Sequence, residues 1–237
     1  MDAQTISDTA AQLFREKGYR ATTLQDIAQA LGVSKGAIYH HCKSKDEILC
    51  RIYDRVVRIA LGMVTEIAGS DLPPDEKMRR LIRGHVALVV RELPNITVFF
   101  QERPSLPPEH YAAVARDQRE YDRRVGEILE EGIAQGFFAE MDVPVAVRGI
   151  VGMCHWLYQW YRPSGPLGAA EIADTFIKVV EQGYLRRDAA RGGSGPSAVE
   201  LAGRQRRLRR SLEETVGALR QQVATFEAQL EEIGRCR

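Results

Sequence analysis

Ser34, Gly36 and Ala37 place three small residues at the start of one short stretch. A helix needs small side chains there if it is to approach base edges in a major groove about 12 Å wide. The charge around them is one-sided. Between positions 15 and 45, Arg15, Lys17, Arg20, Lys35, Lys43 and Lys45 stand against only Glu16 and Asp26, a net +4, whereas the whole chain is +1. Attraction to phosphates follows that local charge rather than the overall balance. Other chemistries find less support. Ser, Cys, His and Glu are all available, yet there is no nucleophile elbow, Gly-rich phosphate loop, metal-spaced cluster or paired catalytic motif, so no enzyme activity is expected. His40-His41 and Cys154-His155 are adjacent pairs that splay by ~100° around a helix, so neither a metal site nor a cofactor is expected. Cys42, Cys50, Cys154 and Cys236 are scattered along the chain, which suits free thiols in a reducing compartment.

The elements that hold the small residues in place can be read from their caps. Thr23 is a good N-cap, and Asp26 three residues on completes a capping-box pair. Leu24, Ile27, Ala28 and Leu31 then recur at helical spacing until Gly32, which can take the left-handed conformation that ends a helix. Val33 suits the inside of the turn. Ser34 caps a second helix through Ala37, Ile38 and Tyr39 to about His41, and Ser44 to Glu47 caps a third that carries Ile48, Leu49, Ile52, Tyr53 and Val56 inward. Upstream, Ile6, Ala10, Leu13 and Phe14 make an amphipathic helix stopped by Gly18. Spacing alone leaves two readings, a helix-turn-helix DNA reader and an ordinary helical hairpin.

The string GYRATTLQDIAQALGVSKGAIYHHCKSKDEIL, residues 18 to 49, resembles the N-terminal domain of the TetR family of bacterial transcriptional regulators almost position by position. One departure is Cys42, where the family usually has a bulky aromatic; a cysteine can serve there as a small core hydrophobe. The resemblance implies that Thr22, Lys35, Tyr39, His40 and Lys45 contact the DNA backbone, that Gln25, Ser34, Gly36 and Ala37 lie nearest the base edges, and that Thr23 belongs to the same surface. Tyr39 and His40 also admit a plain reading as cap and core residues.

Residues 48 to 187 read as helices throughout. Pro73-Pro74-Asp75 opens one towards Arg91, Leu93-Pro94 restarts the chain, and Pro107-Pro108-Glu109 opens a long helix with Tyr111, Val114, Tyr121, Val125, Ile128 and Ile133 at near-helical spacing up to Gly136. Asp142 caps the next at Pro144. That helix is apolar nearly all round and is expected to be buried on several sides, with Gly149 and Gly152 allowing close approach. After Ser164-Gly165-Pro166 a last helix turns Ile172, Phe176, Val179 and Val180 inward. Family resemblance implies that these last two helices pair with their mates in a homodimer. The stretch GMCHWLYQWYRPSGPLGAAEI, residues 152 to 172, with ERPSLPPEH at 102 to 110, resembles the branch of TetR regulators that sense acyl-CoA thioesters and control fatty-acid, aromatic-acid or steroid degradation. Such a ligand needs an apolar tunnel with arginines at its mouth. Phe99, Phe100, Tyr111, Trp156 and Trp160 could line the tunnel, and Arg116, Arg119, Arg123, Arg124, Arg148 and Arg162 the mouth. For the aromatics the competing reading is core packing, and for the arginines a solvated helix face.

The expected architecture is all-α. A helix-turn-helix domain occupies residues 1–47, a ligand-binding and dimerisation bundle 48–187, a flexible Gly/Ser linker 188–197, and one long coiled-coil-like helix 198–237. In that last helix Leu212, Val216, Leu219, Val223, Phe226, Leu230 and Ile233 alternate three and four apart. Arg204, Arg206, Arg207, Arg209 and Arg210 crowd its first half, and Glu227, Glu231 and Glu232 its second, a segregation that favours antiparallel pairing; a lone amphipathic helix packed on its own domain is the other reading. No apolar run approaches the ~20 residues that span a bilayer, and the N-terminus lacks a signal pattern. The expected protein is a cytoplasmic homodimeric repressor with double-stranded operator DNA and a small-molecule effector as partners. A sensor of lipophilic drugs or free acids is the alternative.

Overall fold

Each of the first four helices starts on a polar side chain that accepts one of its unpaired backbone N–H groups, a contact that contributes about 1 kcal/mol. Asp2 accepts from Thr5 at the head of α1 (Ala3–Lys17), Thr23 from Asp26 at α2 (Leu24–Ala30), Ser34 from Ala37 at α3 (Lys35–Tyr39), and Ser44 from Glu47 at α4 (Lys45–Ala68). The computed structural model describes residues 2–184. At α2 both halves of the capping box form. At α4 the Glu47 carboxylate instead accepts from Lys43 N at 2.6 Å, and that bond holds its acidity below the usual carboxylate range. Gly32 ends α2 with φ +67°, where a side chain would be strained. Ile6, Ala10, Phe14, Ile27, Ala28, Ile38, Cys42, Ile48 and Leu49 are buried together between these helices. Cys42 is thus a core residue, and burial pushes its thiol pKa up.

Beyond them run α5 (Pro74–Arg91), α6 (Leu93–Gln101), a 3₁₀ turn (Arg103–Ser105), α7 (Pro108–Ala134), α8 (Val143–His155), α9 (Leu157–Trp160) and α10 (Ala169–Tyr184). Prolines stand in the first turns of α5 to α8, where their missing N–H breaks no helical hydrogen bond. Helix α5 is the centre of the bundle, packed against α4, α7, α8, α9 and α10, and no β-strand forms among the described residues. The boundary expected between residues 47 and 48 falls inside the first turn of α4, so one continuous helix serves both parts.

Two expectations about helix faces need correction. The stretch from Pro144 to Pro163 is not one helix buried on several sides: it breaks at Trp156 into α8 and α9, and one face of α8 is open. Val145, Gly149, Gly152 and Trp156 are all exposed, Val145 at 62% and Trp156 at 61%. At ~100° per residue they fall within a stripe roughly 60° wide. On α10, Ile172, Ala173, Ile177 and Val180 are buried, but Val179 is 57% exposed rather than inward. It lies ~100° round from Val180, at the margin of the arc that packs on α5. The linker at 188–197 and the long helix at 198–237 lie outside the described residues.

Candidate functional site

Helix α3 has one buried side chain, Ile38, which anchors it on the core. Lys35, Gly36, Tyr39 and His40 are exposed and Ala37 is half-buried. The Lys35 ammonium lies 5.7 Å from the Tyr39 ring centre, so cation and phenol project side by side. Gln25 is exposed on α2. The hydroxyls of Ser34 and Thr23 are occupied by capping, with Ala37 N at 3.2 Å from the first and Asp26 N at 3.1 Å from the second. Asp26 in turn accepts from Thr23 N at 2.8 Å, and the Thr23 bonds hold its acidity below the ordinary carboxylate range.

Two residues expected at the DNA backbone are placed otherwise. The Thr22 side chain is fully buried and donates to the carbonyl of Gly18 at 2.9 Å, so its hydroxyl is not at the surface. The Lys45 ammonium is turned back under the α1–α2 loop. It donates to the carbonyls of Tyr19 at 2.6 Å, Thr22 at 2.9 Å and Arg20 at 3.4 Å, and sits 4.3 Å from the Tyr19 ring centre. An ammonium has three donors, and here three carbonyls take them. Tyr19 donates its hydroxyl to Asp46, closing the clamp from the other side. Sequence reasoning missed this role because the partners are backbone carbonyls more than twenty positions away.

The second feature is a cavity of about 270 Å³ between α4, α5, α6, α7 and α8. Val56, Val57, Ala60, Leu61, Leu88, Ile96, Phe99, Phe100 and Val151 give it an apolar wall. Phe99, Phe100 and Arg148 are there as expected; the other expected ligand residues are not among its lining. Trp156 and Trp160 lie on the open side of α8 and α9, 61% and 42% exposed. Tyr111 is exposed with Arg103 against its ring at 4.7 Å. Arg116 and Arg119 lie on α7 away from the cavity, Arg123 and Arg124 are paired with Glu120 and Glu127, and Arg162 donates to the carbonyls of Gln159 and Tyr161. At ~100° per residue Arg116, Arg119 and Arg123 fall within about 60° of one another, on the side of α7 opposite the inner face that holds Tyr121 and Val125.

Apart from Arg148, the polar groups at the cavity come from residues that the sequence did not mark as ligand contacts. His85 is 4% exposed, and its Nδ1 lies 2.7 Å from the Tyr121 hydroxyl. The His155 ring stands 4.7 Å from that of His85 and 4.8 Å from Phe100, which stacks on Tyr158. Desolvation lowers the pKa of His85 far below its ordinary value, with His155 adding to the effect, and lowers that of His155 to about 4. Both imidazoles are therefore neutral near pH 7. Asp117, Gln118, Asp122, Arg148 and Gly152 complete the lining, and burial raises the Asp122 pKa against the opposing pull of Arg148. Across Val57, Leu61 and Asp117 the cavity borders a cleft of about 520 Å³ between α1 and α4, lined also by Ala3, Gln4, Ser7, Arg51, Asp54 and Arg58.

Comparison with known proteins gives this geometry a context. Residues 6–52 match the family described as bacterial regulatory proteins, tetR family, and residues 71–184 match tetracyclin repressor-like, C-terminal domain. The HTH-type transcriptional repressor KstR2 of Mycobacterium tuberculosis is 27% identical over 183 residues, 76% of this chain and 92% of KstR2. Among solved structures, the TetR family transcriptional regulator PfmR from Thermus thermophilus is 35% identical with a TM-score of 0.71, covering 75% of this chain and 97% of PfmR. The regulator AibR, solved in complex with isovaleryl coenzyme A and operator DNA, is 27% identical with a TM-score of 0.67, covering 75% and 96%.

Proposed function

The chain belongs to the TetR family, and we propose that it is a homodimeric repressor that binds a near-palindromic operator and leaves it when an acyl-CoA thioester enters the cavity. The observation that carries this reading is the continuity of α4. Its first residue, Lys45, clamps the loop that holds α2 and α3, and Val56, Val57, Ala60 and Leu61 on the same helix line the cavity. The two ends are about 18 Å apart at 1.5 Å per residue. A ligand that tilts α4 moves the recognition helix, and release needs a coupling of ~1–3 kcal/mol between the two sites.

The thioester reading is supported by the likeness to AibR, solved with isovaleryl coenzyme A, and by the layout of the two cavities. A volume of about 270 Å³ takes an acyl group, not a nucleotide. The phosphates would lie in the neighbouring cleft, where Arg51 and Arg58 replace the arginine mouth expected on α7. Arg58 makes no ion pair among the described residues, whereas Arg51 already donates to Glu47 at 2.6 Å and to the His41 carbonyl, which makes Arg58 the main cation of the cleft. The exposed stripe of α8 with Val179 of α10 supplies the apolar face for the second subunit.

The test is release of DNA, by fluorescence anisotropy, on adding acyl-CoAs or the matching free acids. A C4 to C8 thioester is expected to act at least tenfold below the acid, and Arg58→Ala to remove that difference. Equal potency of acid and thioester would favour the second reading, a sensor of lipophilic drugs or free acids, to which Asp117 and Asp122 beside the aromatic wall lend some support as partners for a cationic drug.

A further inference from the structure

The cavity is apolar on most sides, yet a connected set of hydrogen-bonding groups stands in one part of it. His85, Tyr121 and His155 come from α5, α7 and α8, and all three line the space. Bonding between them leaves them incomplete. If the Tyr121 hydroxyl donates to His85 Nδ1, the His85 proton sits on Nε2 and needs an acceptor. If His85 Nδ1 donates instead, the Tyr121 hydroxyl proton needs one. The His155 ring makes no hydrogen bond among the described residues, and as a neutral imidazole it too carries one N–H. Either arrangement therefore offers at least two donors to whatever fills the cavity. Water can meet that need in the empty protein, but an alkyl chain displacing the water would strand both donors.

Taking the cavity as the acyl site proposed above, we infer that it selects an acyl group bearing a neutral oxygen, a hydroxyl or a carbonyl, received by His85, Tyr121 and His155. A second carboxylate is disfavoured. The charged groups lining the cavity are Asp117, Asp122 and Arg148, so an added anion would meet two carboxylates against one guanidinium and two uncharged imidazoles. The size fits as well, since a cavity of about 270 Å³ has room for a short functionalised chain or one ring. A site built to hydrogen-bond a ligand oxygen discriminates strongly against the analogue that lacks it, because its own buried groups are then unpaired.

The experiment measures dissociation constants of the full chain by titration calorimetry for octanoyl-CoA and its 3-hydroxy, 3-oxo, 7-oxo and ω-carboxy counterparts, with the corresponding free acids in parallel. At least one hydroxy or oxo thioester is expected to bind tenfold or more tightly than octanoyl-CoA, with the ω-carboxy compound weaker than both. Tyr121→Phe, which removes a single oxygen, and His85→Phe should each reduce the preference to within about twofold while octanoyl-CoA still binds. Parent binding as tight as the oxygenated forms, or a preference that survives in both variants, would overturn the inference. If free oxo or hydroxy acids bind as tightly as their thioesters and lose affinity in the variants, the oxygen-recognising cluster stands and the coenzyme A reading falls. If no compound in either set binds, both fall.

Discussion

Gly36 and Lys45 separate recognition from architecture at the scale of single residues. A Cβ added at Gly36 meets only Ser34 Oγ, at 3.7 Å, so the free protein has room for a side chain there, and a glycine inside a helix is about 1 kcal/mol worse than alanine. Gly36→Leu should fold with an unchanged or slightly higher Tm and lose operator binding by steric exclusion. Lys45→Met should do the reverse: with three carbonyls losing a charged donor, the N-terminal helices lose about 1–3 kcal/mol, visible in thermal unfolding before any DNA is added. A Lys45→Met protein with wild-type Tm and a salt slope lowered by one would return Lys45 to the phosphate contacts. Lys35→Ala, exposed and free of ion pairs among the described residues, is the variant expected to lower that slope by about 1. His155 gives a separate readout. Its pKa falls from the ordinary 6.5 to about 4 on folding, so the unfolded chain binds the extra proton between those values. Stability is therefore full above pH 6.5 and declines as the pH drops towards 4, by roughly 2 kcal/mol for this ring after allowing for its partial exposure. Denaturant midpoints of His155→Phe against wild type should show a shallower decline over that window; parallel curves would refute the assignment.

Caps and breakers were legible at the scale of elements because their chemistry is local: Thr23 with Asp26, Ser34, Ser44, Asp142 and the prolines act within three residues of their own position. Faces were not legible where a helix has apolar residues on two sides, since α8 buries Ala146, Val147, Ile150 and Val151 yet leaves Val145 and Trp156 open. Hydrophobicity alone does not say whether a face meets the same chain or another one. Long-range polar ties were silent for the same reason. Arg55 on α4 holds Glu92, at the start of α6, through two bonds of 2.9 and 2.8 Å; Asn95 donates to Glu92 at 2.9 Å and reaches Asp8 of α1 at 3.4 Å. Burial raises the Glu92 pKa, but the bonds from Arg55 and Asn95 outweigh it, so the group stays ionised below the usual range. This network joins α1 to the helices around the cavity. Glu92→Ala leaves a partly buried guanidinium unpaired and should cost about 2–3 kcal/mol, towards the low end for broken buried pairs because Arg55 keeps some access to water. It should also weaken effector-driven release more than effector binding. Anisotropy with and without ligand distinguishes the two, and an equal loss in both would make Glu92 a stability residue alone.

At the scale of the whole molecule the question is which surface makes the dimer that a two-fold operator requires. Two candidates exist: the open faces of α8 and α10, and the arginine- and glutamate-segregated segment 198–237, which lies outside the described residues. The first is apolar and built for close approach. Val145 and Trp156 lie on the stripe with Gly149 and Gly152, whose missing side chains leave room for a neighbouring helix. A charge at the centre of such a face is costly when a partner must desolvate it, whereas in a monomer it stays in water. Val145→Glu and Val179→Glu should therefore yield folded monomers with a retained helical spectrum and weakened operator binding, since each half-site is then held alone. The C-terminal segment is expected to add to the dimer, not to create it, because its charge pattern suits antiparallel pairing but its hydrophobic seam is narrow. Removal of residues 196–237 should leave a dimer by sedimentation, with a lower Tm and a nearly unchanged salt slope of DNA binding. If truncation gives monomers while the two glutamate variants remain dimers, the assignment is reversed. If the salt slope drops by several charges, the arginine cluster at 204–210 reaches DNA flanking the operator and belongs to the recognition surface.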